Sequence, residues 1–247
     1  MPARPGPHQL ALALGHVESL AREDFLSGTS NAAALALIDR WPDWPDQAVV
    51  LAGPEGCGKS HLAAIWAKEA GARFISARSL AAEAVPAALA TGALVVEDIA
   101  AGQFDERAMF HLLNLAREEQ AFVLVTARSQ PAGWTIDLRD LASRLRALPV
   151  VTVGVPDDAL VRAVLVKLFG DRQLAVDESL VTFLARRIDR SVAAARVIVA
   201  ELDREAMQQG RPLSRPLAAG VLAAAAATGH PDGRPGEAVQ SPQDEEA

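Results

Sequence analysis

Apolar and polar positions follow two regimes along this chain. Up to about residue 155, short continuous apolar runs alternate with segments of helical spacing; beyond it only helical spacing remains. The runs Ala48–Ala52 (AVVLA), Ala93–Val96, Ala121–Val125 and Val150–Val153 predict buried strands, and Arg73–Ser76 predicts a brief fifth. Between them the spacing predicts helices over Ala32–Arg40, Lys59–Ala70, Ser79–Leu89, Asp105–Glu119 and Leu138–Ala147. Ser30 or Asn31 is placed to cap the first, and Trp41-Pro42 ends it. Strands apolar along their whole length, alternating with helices, predict an α/β fold: a parallel five-stranded sheet flanked by helices. After Pro156 the chain predicts helices over Asp157–Phe169, Glu178–Arg187, Ser191–Gln209 and Pro216–Ala227, a small all-α domain. The expected boundary is Val155, giving units at 21–155 and 156–228. No internal repeat is visible in the sequence.

Composition sharpens this picture. Half of the 247 residues are hydrophobic but aromatics make up 4%, so alanine-rich helices must fill the core. The net charge is −7, and the segment 229–247 holds Asp232, Glu237, Asp244, Glu245 and Glu246 against Arg234. Four of the seven negative charges therefore sit in a Gly-, Pro- and acid-rich tail, which is expected to be disordered. The remainder is near neutral, so no broad basic field predicts sequence-specific DNA binding, although Arg139, Arg144 and Arg146 form a local patch. One cysteine, Cys57, allows no internal disulfide, and no segment is apolar for long enough to span a bilayer. The expectation is a cytoplasmic protein with no membrane partner.

The chemistry concentrates at Gly53-Pro54-Glu55-Gly56-Cys57-Gly58-Lys59-Ser60, a full G-x-x-x-x-G-K-[ST] pattern between a strand and a helix. Glycines let the backbone aim its N–H groups inward, and the helix N-terminus adds partial positive charge. Lys59 supplies a cation for β- and γ-phosphates, and the Ser60 hydroxyl a ligand for Mg²⁺. The segment through His61 is the expected site for ADP or ATP. Cys57 reads either as a small residue that fits the turn or as a thiol activated by the surrounding amides.

A second cluster ends the run Leu94-Val95-Val96. Glu97 takes the metal-side place and Asp98 the place of a water-activating base, although the usual order has Asp first. The other reading is two solvated acids in a turn. Thr126, at the end of the next apolar run, either senses the terminal phosphate and orients water or is an ordinary strand-end threonine. The five histidines, His8, His16, His61, His111 and His230, show no metal-ligand spacing.

Several segments together resemble the AAA+ core of the bacterial replication initiator DnaA. They are Arg22–Asn31, Gly53–Ser60, Glu97-Asp98, Leu141-Ala-Ser-Arg144-Leu145, and Arg187–Arg190 with the helix ending Glu201-Leu-Asp-Arg204; the likeness spans roughly 20–227. It implies a P-loop AAA+ domain followed by a helical lid. It also implies that Gly28–Asn31 lies near the base, that Arg144 is an arginine finger acting in trans, and that Arg190 reaches a β- or γ-phosphate from the lid. Arg139 and Arg146 lie close enough to fill the finger role instead, and the initiator's aromatic-glycine stretch is replaced by Leu145-Arg-Ala-Leu-Pro149.

The segment 1–20 holds Gln9-Leu10-Ala11-Leu12-Ala13-Leu14, which resembles the Q-L-x-L type of sliding-clamp-binding motif. Otherwise it is an apolar lead-in that packs on its own core. A DnaA-like core with such a peptide is similar to the family's regulators of initiation. That likeness implies three partners: DnaA, the DNA polymerase III sliding clamp (beta), and a second copy of the chain in a nucleotide-dependent oligomer. The competing reading is an ATPase in its own right, such as a helicase loader or remodelling factor.

Overall fold

The computed structural model describes residues 20–227. The peptide residues Gln9, Leu10, Leu12 and Leu14 and the acidic tail lie outside that range.

Five strands, β1 (Ala48–Ala52), β2 (Arg73–Ser76), β3 (Ala93–Ile99), β4 (Phe122–Ala127) and β5 (Val150–Thr152), form one parallel sheet in the order β2-β3-β4-β1-β5. All five residues of β1 are buried, as a strand covered on both faces requires. Alternate side chains go to opposite faces. Val49, Leu51, Val95 and Leu124 pack with α1 (Ala32–Asp39) and α2 (Lys59–Ala70). Val50, Leu94, Val96, Val123 and Val125 pack on the other side with α3 (Val85–Leu89), α4 (Glu106–Glu118) and α5 (Arg139–Ala147). A third apolar cluster joins α6 (Asp158–Asp171), α7 (Glu178–Ala185), α8 (Val192–Gln209) and α9 (Arg215–Ala227) into the helical lid.

The structure differs from the sequence expectation in ways that bear on the site. The helix expected over Ser79–Leu89 breaks into 3-10 turns at Ala77–Ser79 and Ala82–Ala84, followed by the short α3. Pro86 sits at its start, where the missing N–H costs nothing. β3 runs on through Glu97 and Asp98 to Ile99, with a register shift between Val96 and Ile99 and Asp98 at φ 55°. Strand order, on which the sequence is silent, puts β4 between β3 and β1, and β4 delivers Thr126 to the same edge. Asn31 stands at the start of α1, but its side chain turns back, accepting from the Gly28 N–H at 2.8 Å and donating to the Leu26 carbonyl.

Cross-contacts fasten the segment before α1 to both units. The Ser30 carbonyl accepts from the Gly154 N–H at 2.8 Å, just past β5. The Thr29 hydroxyl lies 3.2 Å from Asp157, whose carboxylate caps α6 through the Leu160 N–H. These backbone amides hold the Asp157 carboxyl below its ordinary range, Leu160 most of all.

Candidate nucleotide site

The loop Gly53–Gly58 leaves β1 at the carboxyl edge of the sheet. Its first residue is stitched to β4, the Gly53 N–H donating to the Ala127 carbonyl at 3.0 Å. A Cβ at Gly53 would lie 2.2 Å from the Val153 carbonyl oxygen, so glycine is required by that close approach. Lys59 opens α2 and its ammonium folds into the loop, donating to the carbonyls of Gly53 and Pro54 at 2.8 Å each. It is buried, with Cys57 Sγ 3.8 Å away, while Ser60 in the same turn faces solvent. The result is a buried ammonium held by two loop carbonyls at a helix N-terminus, where anions are favoured.

The lid closes directly on this loop. The Gly56 carbonyl accepts from the Val192 N–H, the first residue of α8, at 2.9 Å. Gly56 has φ 72°, and a Cβ there would lie 2.9 Å from the Ala193 Cβ and 3.1 Å from the Ser191 Oγ. Between lid and loop lies a cleft of about 250 Å³, with Phe25, Asn31, Cys57, His61, Leu160 and Val164 on its walls. Its mixture of apolar walls and a few polar groups suits a flat heteroaromatic ring. The Gly28–Asn31 segment thus reaches the cleft through Asn31.

His61 closes the cleft from α2. Its Nε2 lies 3.1 Å from the Ala21 carbonyl and its Nδ1 3.4 Å from the Arg196 guanidinium. A carbonyl only accepts and a guanidinium only donates, so the neutral Nε2–H tautomer satisfies both. Burial, with the Arg196 charge as a smaller contribution, pushes the imidazole below its ordinary pKa despite the Ala21 contact. Phe25 meets the ring edge-on, centroids 5.2 Å apart. Across the cleft Lys167 is clasped by Asp24 and Asp171 at 2.7 Å each. Burial by itself would lower that ammonium, but the bonds to Asp171 and Asp24 hold it above its usual value.

The carboxylate cluster is built by β3 and β4. The buried Thr126 hydroxyl accepts from the Asp98 N–H at 3.0 Å, which fixes the turn that carries both acids. Glu97 is half-buried and Asp98 exposed. Ser60, Glu97 and Asp98 each carry hard oxygen donors of the kind that Mg²⁺ takes. Among the described residues no group of three His, Cys, Asp or Glu forms a metal cluster, so any such ion would depend on phosphate oxygens as well.

Arg190, expected to reach a phosphate from the second unit, and Arg144, expected to act in trans, each have a partner within the chain. Arg190 pairs with Asp158 at the start of α6, 3.0 Å away and exposed. Ser191, Val192 and Ala193 meet the loop at Gly56. Arg144 rests its guanidinium on the Phe110 ring, 5.1 Å from the centroid, on the α4–α5 face. The sequence reading missed Arg196, which lies one turn along α8 from Val192 and so on the same side. It also missed Arg128, which follows β4 and pairs with Glu55 at 2.6 Å.

No family model and no curated protein matches this sequence. Solved structures do match in shape. The chain is similar to domain III of the DnaA replication initiation protein from Thermotoga maritima, with a TM-score of 0.70 and 17% identity over 83% of this chain and 96% of that one. It is similar to AMPPCP-bound DnaA from Aquifex aeolicus, with a TM-score of 0.60 and 18% identity, over 73% of this chain and 64% of that one. It is also similar to the RuvB Holliday junction branch migration motor of Thermotoga maritima, with a TM-score of 0.67 and 16% identity, over 83% of this chain and 72% of that one. The fold is therefore the P-loop AAA+ fold, a parallel five-stranded sheet with a C-terminal helical region. Of these, the match to DnaA domain III takes in almost the whole length of that structure. Among the described residues no helix is long and apolar enough to cross a membrane.

Proposed function

We propose that this chain binds ADP or ATP at Gly53–Ser60, with the base in the cleft against Phe25, Asn31 and His61. The buried ammonium of Lys59 inside the loop is the observation that carries this reading. The loop amides and Lys59 take the phosphates, Ser60 and Glu97 hold Mg²⁺ or its waters, and Thr126 steadies the Glu97–Asp98 turn. A bound Mg²⁺ would offset phosphate charge. The AMPPCP-bound state of a DnaA with this fold supports the choice of an adenine nucleotide.

We further propose a role like that of Hda, the protein of regulatory inactivation of DnaA. The Gln9-Leu10-Ala11-Leu12-Ala13-Leu14 peptide anchors the chain to the DNA-loaded sliding clamp. Arg144 then completes the ATP site of DnaA in trans, and hydrolysis there switches initiation off. The likeness to DnaA domain III supports this, because cores of one fold can stack in a shared assembly. Phe110 supports it too, since a guanidinium anchored on an aromatic face is held in one place for a neighbour. The test is hydrolysis of DnaA-bound ATP with clamp loaded on DNA. Wild-type protein should accelerate it, while Arg144→Ala should not. Alanine at Gln9, Leu10 and Leu12 should abolish clamp capture and spare nucleotide affinity.

The RuvB likeness favours a second reading, an ATPase such as a helicase loader acting by itself. Brisk turnover by the purified chain without DnaA or clamp would select it.

A further inference from the structure

One ion pair at the loop plays no part in that reading. Glu55, the third residue of the loop, meets Arg128 at 2.6 Å, with 47% and 65% of the side chains exposed. The two come from different strands, Glu55 after β1 and Arg128 after β4. The bond from Gly53 to Ala127 stitches the strands together one residue before Arg128. Arg128 thus stands at the same sheet edge as Thr126 and the loop.

The cleft touches the second half of the loop, at Cys57 and Gly58, and then His61. Glu55 and Arg128 do not line it. A nucleotide with its base in the cleft would run its phosphates along the loop, so the phosphate farthest from the base would meet Glu55 and Arg128. There the carboxylate repels a polyanion, and the guanidinium attracts it. A solvent-exposed pair is weak, so it exchanges readily for a better partner. Phosphate oxygens offer arginine the bidentate, doubly charged acceptor that it prefers.

We propose that Arg128 is a phosphate-counting residue. It neutralises Glu55 when the terminal site is empty and transfers to the terminal phosphate of a nucleoside triphosphate. Glu55 then sets the penalty and Arg128 the reward, and their balance fixes the preference between triphosphate and diphosphate. The proposal rests on the reading of Gly53–Ser60 as a nucleotide loop.

Calorimetric titration of the full chain with the triphosphate analogue AMPPCP and with ADP tests it, with thermal melts confirming that each variant folds. Arg128→Ala should weaken AMPPCP about tenfold, the worth of a charge-assisted phosphate contact, and ADP no more than about twofold. Glu55→Gln should shift the ratio the other way, in favour of AMPPCP. Lys59→Ala should weaken both ligands. Equal effects of Arg128→Ala on the two nucleotides, or none, with Lys59→Ala still defective, would overturn the counting role alone. A Lys59→Ala chain that binds both like the parent would overturn the loop reading, and this proposal with it.

Discussion

The Thr126 hydroxyl accepts the backbone N–H of Asp98 at 3.0 Å, and this contact joins β4 to the bulged end of β3. Asp98 holds φ 55° there, a conformation that Asp tolerates better than most residues. Thr126 is 1% exposed, so its hydroxyl is held in place by packing and presents a fixed acceptor to the part-buried amide. Thr126→Val should cost about 1 kcal/mol, the net worth of one ordinary hydrogen bond. Urea denaturation measures it, and an unchanged midpoint would show that the turn stands without the bond.

Glu106 holds the start of α5 from α4. Its two carboxylate oxygens accept from the Asp137 and Leu138 N–H groups at 3.1 and 2.7 Å. The charge also suits a helix N-terminus. Glu106→Ala should cost about 1–2 kcal/mol and loosen the helix that carries Arg144. Hydrogen exchange at 139–147 should quicken while that in β1 stays slow.

Gly56 is the point where lid meets loop. Gly56→Ala places a methyl 2.9 Å from Ala193 in a residue already at φ 72°. The left-handed backbone alone costs about 1–2 kcal/mol, and the clash must also push α8 outward. Nucleotide affinity and melting temperature should both fall. Ala193→Gly in the same chain should recover part of the loss, because it removes the atom struck.

His61 ties stability to pH. Its folded pKa lies below the ordinary value of about 6.5, chiefly through burial, so the folded state binds fewer protons than the unfolded chain. Its contribution is complete above about 6.5 and is lost as pH falls from there through the folded pKa. A denaturation midpoint that drops below pH 6.5 should drop less in His61→Gln. Parallel curves for the two proteins would assign the slope to other groups.

Cys57 is 4% exposed in the cleft wall. Alkylation should be slow, and ADP should slow it further by filling the cleft. Equal labelling with and without ADP would place the ligand elsewhere.

Much of this molecule could be read along the chain. The boundaries of β1 and α2 match the sequence reading to the residue, because a run apolar on every side or a strict glycine-lysine turn permits few conformations; those of β2 match too, although it is a mostly exposed edge strand. The Ser79–Leu89 stretch failed because alanine-rich spacing suits both a helix and a series of 3-10 turns, and packing chose between them. Periodicity also predicted the lid helices without predicting what they meet.

By itself, then, the sequence determined the parallel α/β core, the phosphate loop with its lysine, and the all-helical second unit, since each rests on local pattern and backbone chemistry. The tertiary structure alone decided that β4 separates β3 from β1, that Ala193 rather than Arg190 faces Gly56, and that Arg128 reaches Glu55. Those pairs lie tens of residues apart, and only the packing of the sheet and the seating of the lid bring such distant residues together.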